Sequence, residues 1–522
     1  MNREQRKAIR ESAQYLREVR PIDPEEIDEY VPGRPHPGVV RAVLRESALE
    51  FGLVERPDGT FVPVSTEPLD AADLATVDAA SGVPGSDGRD TADGIRAFPE
   101  PYSRRLEDRL VAEYGPGWPT GESGTRLRER TRELKKAYFA GESVEYDAET
   151  ALAYAIYHLP DYYAATSYLL RELAVGGLLP THLRVLDVGA GVGGPALALF
   201  DALPAEALCE YHAIEPSPAA DLFSHLLTDA GPNKYLNIHR ERAEAFDPGT
   251  GDEPVVDAAN GSNGDGDGDG GGESDYDLLV FANVLSELDD PVGVIERYLP
   301  HLAPDGTLLL LAPADRETAT GLREIERRLA NGDDSATIYA PTVRLWPDER
   351  PTDRCWSFDV KPDLSVPGFQ RRLDEAASGP DHDPGEFVNV DVQYAYSMLR
   401  TDGKKNIDVT PDERRVAKLA NSEAHVSRRV NVLALKLSHS LSDNGAGKEG
   451  SQGNPLYLIG DGSQKVDHYA VLTRETTLNR DLREADYGDL LRFENVLVLW
   501  NDDEGGYNLV VDDETVVDRI PV

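Results

Sequence analysis

The segment Leu183-Arg-Val-Leu-Asp-Val-Gly-Ala-Gly-Val-Gly-Gly-Pro195 constrains the fold more than any other part of the chain. The apolar pair Val185-Leu186 leads into Asp187. Glycines follow at Gly189, Gly191, Gly193 and Gly194, and Ala196-Leu-Ala-Leu-Phe200 opens a helix. A strand, a tight glycine turn and a helix are expected, because only a residue without Cβ lets the backbone turn so sharply and approach a ligand so closely. About one βαβ unit later, Tyr211-His-Ala-Ile-Glu215 reads as a second strand ending in a carboxylate. Glu215 then stands where a nucleotide-binding sheet places an acid that accepts hydrogen bonds from a ribose hydroxyl pair. A glycine-rich turn alone is a weak signal, so a structural turn and a dinucleotide site are the competing readings.

Spacing bears on that choice. A dinucleotide fold sets a pyrophosphate on G-x-G-x-x-G, over a helix N-terminus. The order here is Asp187-x-Gly189-x-Gly191-x-Gly193. An acid leading the turn would repel a pyrophosphate, whereas it can accept a hydrogen bond from an α-ammonium group. The pattern D-x-G-x-G-x-G resembles the S-adenosylmethionine loop of class I methyltransferases. That resemblance implies S-adenosylmethionine as cofactor, held by Asp187, Gly189, Ala190, Gly191, Gly193, Glu215 and Pro216. Ala243-Glu-Ala-Phe246, with Glu244 and Ala245, falls where such folds contact adenine. Tyr276 to Ala282 and Gly306 to Ala312 are two more apolar strands, separated by a helix over 292–302. The alternation predicts an α/β, Rossmann-like, doubly wound parallel sheet with its ligand across the carboxyl ends of the strands. Asn283 sits at such an end. It is the candidate catalytic residue and a further cofactor contact.

Composition bounds the setting. The 522 residues include 95 acidic and 53 basic side chains, for a net charge of −42. Such an acidic surface is expected of a halophile's protein, since at ~1 M salt the Debye length is about 3 Å and self-repulsion is screened. Two cysteines, Cys209 and Cys355, exclude a disulfide framework or a four-cysteine metal site within one chain. No signal peptide or spanning apolar stretch is present, so a cytoplasmic protein without a membrane partner is expected.

Along the chain, residues 1–65 form two helices and a hairpin turning at Asp58-Gly59, like a winged-helix module. Arg34, Arg41 and Arg45 there face either nucleic acid or, in a small packing domain, solvent. Residues 66–95 are an acidic linker and 96–179 a helical region, with Pro160 breaking a helix and Asp161 capping the next. Tyr154, Tyr157 and Tyr163 belong to its core or roof the cofactor pocket. Residues 180–345 are the cofactor domain, carrying a disordered acidic insert at 256–274. In that insert Asp265, Asp267, Asp269 and Gly270 mimic a calcium loop, but Tyr276 replaces the bidentate Glu that calcium needs, so no metal is expected. An extension over 346–465 and a small β domain over 466–522, barrel-like in its alternation, complete the chain.

Seven further groups follow in a fixed order. They are Ala151-Leu-Ala-Tyr154 with Leu159-Pro160, Leu186 to Gly191, Ile214-Glu-Pro-Ser217, Leu285-Ser-Glu-Leu288, Cys355-Trp-Ser-Phe358, Phe369-Gln-Arg-Arg372 and Tyr394 to Arg400. Over roughly residues 146–500 this order resembles the ribosomal small-subunit methyltransferase-like family, known from assembly factors of the mitochondrial small subunit. The resemblance implies S-adenosylmethionine binding, contact with small-subunit ribosomal RNA, and a part in assembly or rRNA methylation. Many members carry a cysteine cluster resembling an iron–sulfur site. Residues 340–355 here retain only Cys355, so no cluster is expected and Cys355 reads as a packed residue. Arg371, Arg372, Arg400, Arg414, Arg415, Arg428 and Arg429, with Phe369 and Trp356, are candidates for RNA contact or for ordinary pairing with neighbouring acids. Asn283-Val-Leu-Ser lacks the Asn/Asp-Pro-Pro-aromatic motif that often serves exocyclic amines, and no residue declares itself a base. Two functions of different class are therefore expected: an rRNA methyltransferase, or a cofactor-binding assembly factor without turnover. Oligomeric state has no signature in the sequence.

Overall fold

The computed structural model describes all residues except 75–93, 141–143, 145, 229, 251–275, 333–335, 378–381, 443–452 and 522. The insert expected at 256–274 lies outside the described residues, as does most of the 66–95 linker. Two compact units are present. The first holds Met1–Val280, His301–Ala303 and Pro362–Val392; the second holds Phe281–Pro300, Pro304–Lys361 and Gln393–Val522.

The first unit begins with helices α1 (Arg3–Leu16), α2 (Pro24–Ile27), α3 (Pro37–Glu46) and α4 (Ala48–Phe51), then the hairpin β1 (Leu53–Glu55) and β2 (Phe61–Pro63). Asn2 and Gln5 start α1 with a reciprocal capping box. Ile9, Ala13, Val40, Val43, Leu44, Leu53 and Phe61 form one buried cluster. Arg41 and Arg45 of α3 turn onto the buried Glu55 carboxylate, at 3.4 and 2.5 Å. These two charges are satisfied internally.

Helices α5 (Glu100–Tyr114), α6 (Gly121–Ala140) and α7 (Ala148–Val175) follow. The expected break at Pro160 does not occur, and Asp161 caps nothing: α7 is one helix of 28 residues with Pro160 inside it. A proline has no N–H for the carbonyl four residues back, here Ile156. That carbonyl is satisfied from elsewhere. The Gln370 amide nitrogen, on the later helix Gly368–Glu375, donates to Ile156 O at 2.8 Å and reaches Tyr157 O at 3.3 Å. Its Oε1 accepts from Asn389 N–H at 3.1 Å, and the side chain is fully buried.

Next come β3 (His182–Val188), α8 (Gly194–Ala202), β4 (Leu208–Ile214), α9 (Ala219–Leu226), β5 (Lys234–His239) and β6 (Tyr276–Ala282). β4 lies between β5 and β3, and β3 pairs with β6, all parallel. The register sets Asp187 opposite Ala213 and Val188 opposite Ile214. Tyr163 of α7, expected in the core or over the pocket, is buried with its hydroxyl on Asp201 at 2.8 Å. Tyr102 donates to the other oxygen of Asp201 at 2.6 Å.

In the second unit are α10 (Pro291–Tyr298), most of β7 (Leu302–Pro313), α11 (Arg316–Leu329), β8 (Thr337–Ala340) and β9 (Asp359–Lys361). After α12 (Gly368–Glu375), which belongs to the first unit, β10 (Val392–Arg400) runs antiparallel to both β7 and β8. Strands β3 to β6 thus pair in parallel in the first unit, whereas β7 and β8 pair antiparallel with β10 in the second. A strand buried on both faces reads the same in either direction, so sequence gives no sign of the reversal.

The tail supplies β11 (Arg429–Lys436), β12 (Leu456–Gly460), β13 (His468–Leu472), the short helix α13 (Asp481–Glu484), β14 (Leu490–Asn501), β15 (Gly506–Val511) and β16 (Val516–Arg519). Pairing runs β11-β12-β13-β15-β14, and β14 pairs back to β11, closing a small barrel with β16 outside on β14. The barrel therefore begins upstream of 466, at Arg429. Ala434, Tyr457, Ile459, Phe493 and Leu509 fill its interior. The alternate positions Leu435, Leu437 and Leu458 cover Leu345, Trp346 and Cys355 on its outside, as the two-residue period of a strand requires.

Gln370→Leu strands the buried Ile156 carbonyl and is expected to cost about 1–3 kcal/mol, the penalty for an unsatisfied buried polar group. Adding Pro160→Ala restores a helical N–H donor to that carbonyl. Denaturant titration should show the double variant recovering much of the loss; if Pro160→Ala adds nothing in the Gln370→Leu background, the substitute bond is not what holds α7 together.

Candidate active site

The glycine turn is built on three positive backbone angles: φ is 72° at Gly189, 55° at Gly191 and 87° at Gly193. The last two differ in purpose. A Cβ on Gly193 would lie 2.2 Å from the Phe223 ring, so this glycine lets α8 start against α9. A Cβ on Gly191 would meet nothing within 4 Å, so this glycine faces open space. Gly189 and Ala190 donate their N–H groups to Ile214 O at 2.9 and 3.1 Å, which ties the loop to the end of β4.

Glu215 completes that tie. Its Oε2 accepts from Gly191 N–H and its Oε1 from Ser217 N–H, both at 2.8 Å, and its own N–H donates to His239 O at 2.9 Å. Each carboxylate oxygen keeps a further acceptor position, because an ionised carboxylate offers about four. Asp187 lies on the other side of the loop and is fully buried. Tyr211 OH donates to its Oδ2 at 2.7 Å, while Oδ1 has no hydrogen-bond partner among the described residues. Burial pushes the Asp187 carboxyl up to about 7, the Tyr211 bond opposes this, and the nearby Glu215 charge adds to it. A buried acceptor without a donor suits a cationic or N–H-bearing ligand.

Asp187, Gly189, Ala190, Gly191, Gly193 and Glu215 are thus brought together at the carboxyl ends of β3 and β4. Pro216, Glu244 and Ala245 are exposed on the turns that follow β4 and β5, and Phe246 is buried against His239 with ring centroids 4.7 Å apart. Sequence reasoning missed Tyr211, Ser217 and Phe223. Tyr211 was accessible from the two-residue period, which puts it on the same sheet face as Asp187.

Within the second unit, Asn283 follows β6 with φ at 59°, a left-handed conformation that asparagine tolerates better than most residues. Its N–H donates to Leu311 O at 2.8 Å, and its side-chain Oδ1 is buried without a partner among the described residues. It lines a cavity of about 290 Å³ with Leu285, Leu311, Pro313, Leu322 and Ile325, and Glu317, Glu324 and Arg328 also contribute.

Residues 186–308 match the family model described as a methyltransferase domain. This stretch is a methyltransferase domain of the S-adenosylmethionine-dependent type. Residues 6–57 and 420–520 match the N-terminal and C-terminal domains described as domain of unknown function DUF8157. No curated protein matches the chain. Among solved structures, a mitomycin 7-O-methyltransferase is 16% identical over 60% of this chain and 76% of its own, with TM-score 0.21. A plantazolicin methyltransferase solved with SAH is 10% identical over 58% and 98%, with TM-score 0.27. A sugar N-methyltransferase from Streptoalloteichus is 18% identical over 28% and 47%, with TM-score 0.20. At these TM-scores neither shape nor substrate carries over to this chain.

Several of the arginines that are candidates for RNA contact or for ordinary pairing are paired. Arg400 is buried, with Nη1 on Thr307 Oγ1 at 2.8 Å and Nη2 on Asp402 at 2.5 Å. Arg429 pairs with Asp512 at 2.5 Å, Arg372 pairs with Glu107, and Phe369 is fully buried. Trp356 is tied by its indole N–H to Ala314 O at 2.9 Å. Arg371, Arg414, Arg415 and Arg428 are exposed. Cys209 and Cys355 are both buried free thiols.

The two glycines separate stability from ligand binding. Gly193→Ala is expected to cost about 2–5 kcal/mol through backbone strain and overlap with Phe223. Gly191→Ala should cost only about 1–2 kcal/mol in stability, yet weaken S-adenosylmethionine binding at least tenfold in calorimetry. A raised carboxyl stabilises the fold below the ordinary carboxylate range, and that contribution disappears as pH climbs towards 7. Wild type should therefore lose stability relative to Asp187→Asn between pH 4 and 7, with no further divergence at pH 8. Parallel curves for the two proteins would contradict the buried, raised carboxyl.

Proposed function

We propose that this protein transfers a methyl group to small-subunit ribosomal RNA, alone or within the assembling particle. S-adenosylmethionine, when bound, supplies an electrophilic methyl on a sulfonium. Glu215 accepts the ribose hydroxyls, the open face of Gly191 lets the cofactor approach the backbone, and Asp187 Oδ1 accepts from its ammonium group. Pro216, Glu244 and Ala245 form the rim of that site. On the second unit, the cavity at Asn283 suits an unstacked base. This cavity carries the reading: its apolar floor suits the face of one unstacked base, and a buried, unpartnered carboxamide oxygen suits a base N–H.

A surface on the second unit supports an RNA substrate over a small molecule. Arg414, Arg415, Lys418, Asn421, His425 and Asn431 line an open groove of about 340 Å³. Lys418 is paired with Glu413 at 2.8 Å and Arg415 lies 3.6 Å from Asp412, whereas Arg414 has no ion-pair partner among the described residues. Glu413 also lines the groove, so Arg414 is the cation it offers to a phosphodiester. The second reading, a cofactor-binding assembly factor without turnover, draws on Asn283-Val-Leu-Ser286, where a 3₁₀ turn at Leu285–Glu287 stands in place of a base-stacking motif.

Small-subunit particles and free nucleosides, incubated with methyl-labelled cofactor in molar KCl, test the proposal. Label is expected in the RNA of the particles and not in nucleosides, reduced about a hundredfold by Asn283→Ala. Arg414→Glu should raise KM for particles at unchanged kcat. Cofactor binding with no label in any RNA would favour the assembly factor.

A further inference from the structure

The loop after β8 makes a second polar site, within the second unit and on residues that the methyltransferase chemistry does not use. Three arginines converge there. Arg323 is fully buried, with Nη1 on Glu326 Oε2 and Nη2 on Tyr396 O, each at 2.6 Å. Arg327 pairs with the buried Asp353 at 2.5 Å. Arg344 is different. Its Nε and Nη2 are buried, and neither has an acceptor among the described residues.

The neighbouring carboxylates are already engaged. Glu326 Oε2 also accepts from Ser397 Oγ at 2.7 Å, and its Oε1 accepts from Thr342 Oγ1 at 2.5 Å. Asp353 Oδ2 accepts from the Gln464 amide at 3.4 Å. A guanidinium with two buried donors and no acceptor is expensive, because its hydration is lost and nothing replaces it.

Beside these donors lies a small cavity of about 20 Å³, lined by Arg327, Arg344, Thr342, Gln464, Gly462 and the engaged carboxylate Glu326 among others. That is room for about one water-sized body. The surrounding backbone is packed too tightly to yield more. A Cβ on Gly462 would lie 2.2 Å from Val343 O, and one on Gly460 would lie 2.4 Å from the Gln464 amide nitrogen.

We propose that this cavity is a binding site for one halide-sized monovalent anion, held by Arg344 and Arg327. The anion supplies the acceptor that Arg344 lacks and offsets the third guanidinium of a cluster with two carboxylates. Sulfate and phosphate are excluded by volume. The site pins the 342–355 loop, which also carries Leu345, Trp346 and Cys355 onto the barrel. Chloride binding is thereby coupled to the stability of the second unit.

Thermal unfolding of the full chain in potassium chloride, gluconate and sulfate at matched ionic strength tests this. Wild type is expected to melt about 2–4 °C higher in chloride than in gluconate. Arg344→Met should lose that difference while keeping the general response to salt. Crystals of the wild type grown in potassium bromide should show an anomalous peak in the cavity, next to Arg344. This second measurement stands should Arg344→Met fail to fold. Equal melting of wild type in chloride and gluconate overturns the proposal, as does a cavity without bromide: the occupant is then a water bridging Arg344 to Glu326. A chloride increment retained by Arg344→Met overturns it too, by placing the effect elsewhere.

Discussion

The cofactor loop depends on one interaction, the acceptance by Glu215 of the Gly191 and Ser217 N–H groups at 2.8 Å. A loop with three glycines at positive φ has more backbone freedom to lose than one built of Cβ-bearing residues. What fixes it is not side-chain packing, since its own residues are small, but hydrogen bonds from its backbone to the end of β4. Ile214 O takes Gly189 and Ala190, and the next residue's carboxylate takes Gly191. The acid proposed to meet the ribose is therefore also the acid that shapes the loop. A neutral replacement at Glu215 would disturb both together, so loss of binding in such a variant would not separate contact from shape. The two glycines make that separation, because Gly191 faces open space and Gly193 faces Phe223.

Asp187 shows how one sheet face can hold a reactive-looking group in reserve. Its partner Tyr211 occupies one oxygen and burial disfavours charge on the rest, so the ligand-free protein holds a carboxyl poised near neutrality. Bringing a cation to Oδ1 pulls the carboxyl back towards the ionised form. Binding and deprotonation are then linked in the same direction, and the attraction strengthens where the pH already favours the carboxylate.

The strand–turn–helix segment was legible because its chemistry is local. Glycines, an acid and an apolar strand lie within a dozen residues, whereas the register of β3 on β4 appears only in the pairing itself. The partners of charged side chains were not legible, because they depend on which distant residues arrive. Arg41 and Arg45 look outward in sequence and meet Glu55 in the fold. Arg400 looks like a surface cation and closes on Thr307 and Asp402. The barrel was seen in part: β14 and β15 read as strands, whereas β11 ends in the run Val432-Leu-Ala-Leu435, which a buried helix segment would share. Its true limit at Arg429 appears only through the pairing of β11 with β14.

The motif Phe369-Gln-Arg-Arg372 shows why a resemblance in sequence does not assign a role. Two arginines beside an aromatic suggest nucleic acid, and each is otherwise engaged: Phe369 stacks edge-on with Phe98, Arg372 pairs with Glu107, and Arg371 reaches Val366 O. Gln370 carries the structural consequence. Pro160 removes a backbone donor from the middle of α7, and an amide from another helix replaces it at 2.8 Å. Of two motifs more than 200 residues apart, Leu159-Pro160 thus removes a donor from the Ile156 carbonyl and Phe369-Gln-Arg-Arg372 supplies one. Their joint presence follows from the cost of an unsatisfied buried carbonyl, which neither motif can meet alone.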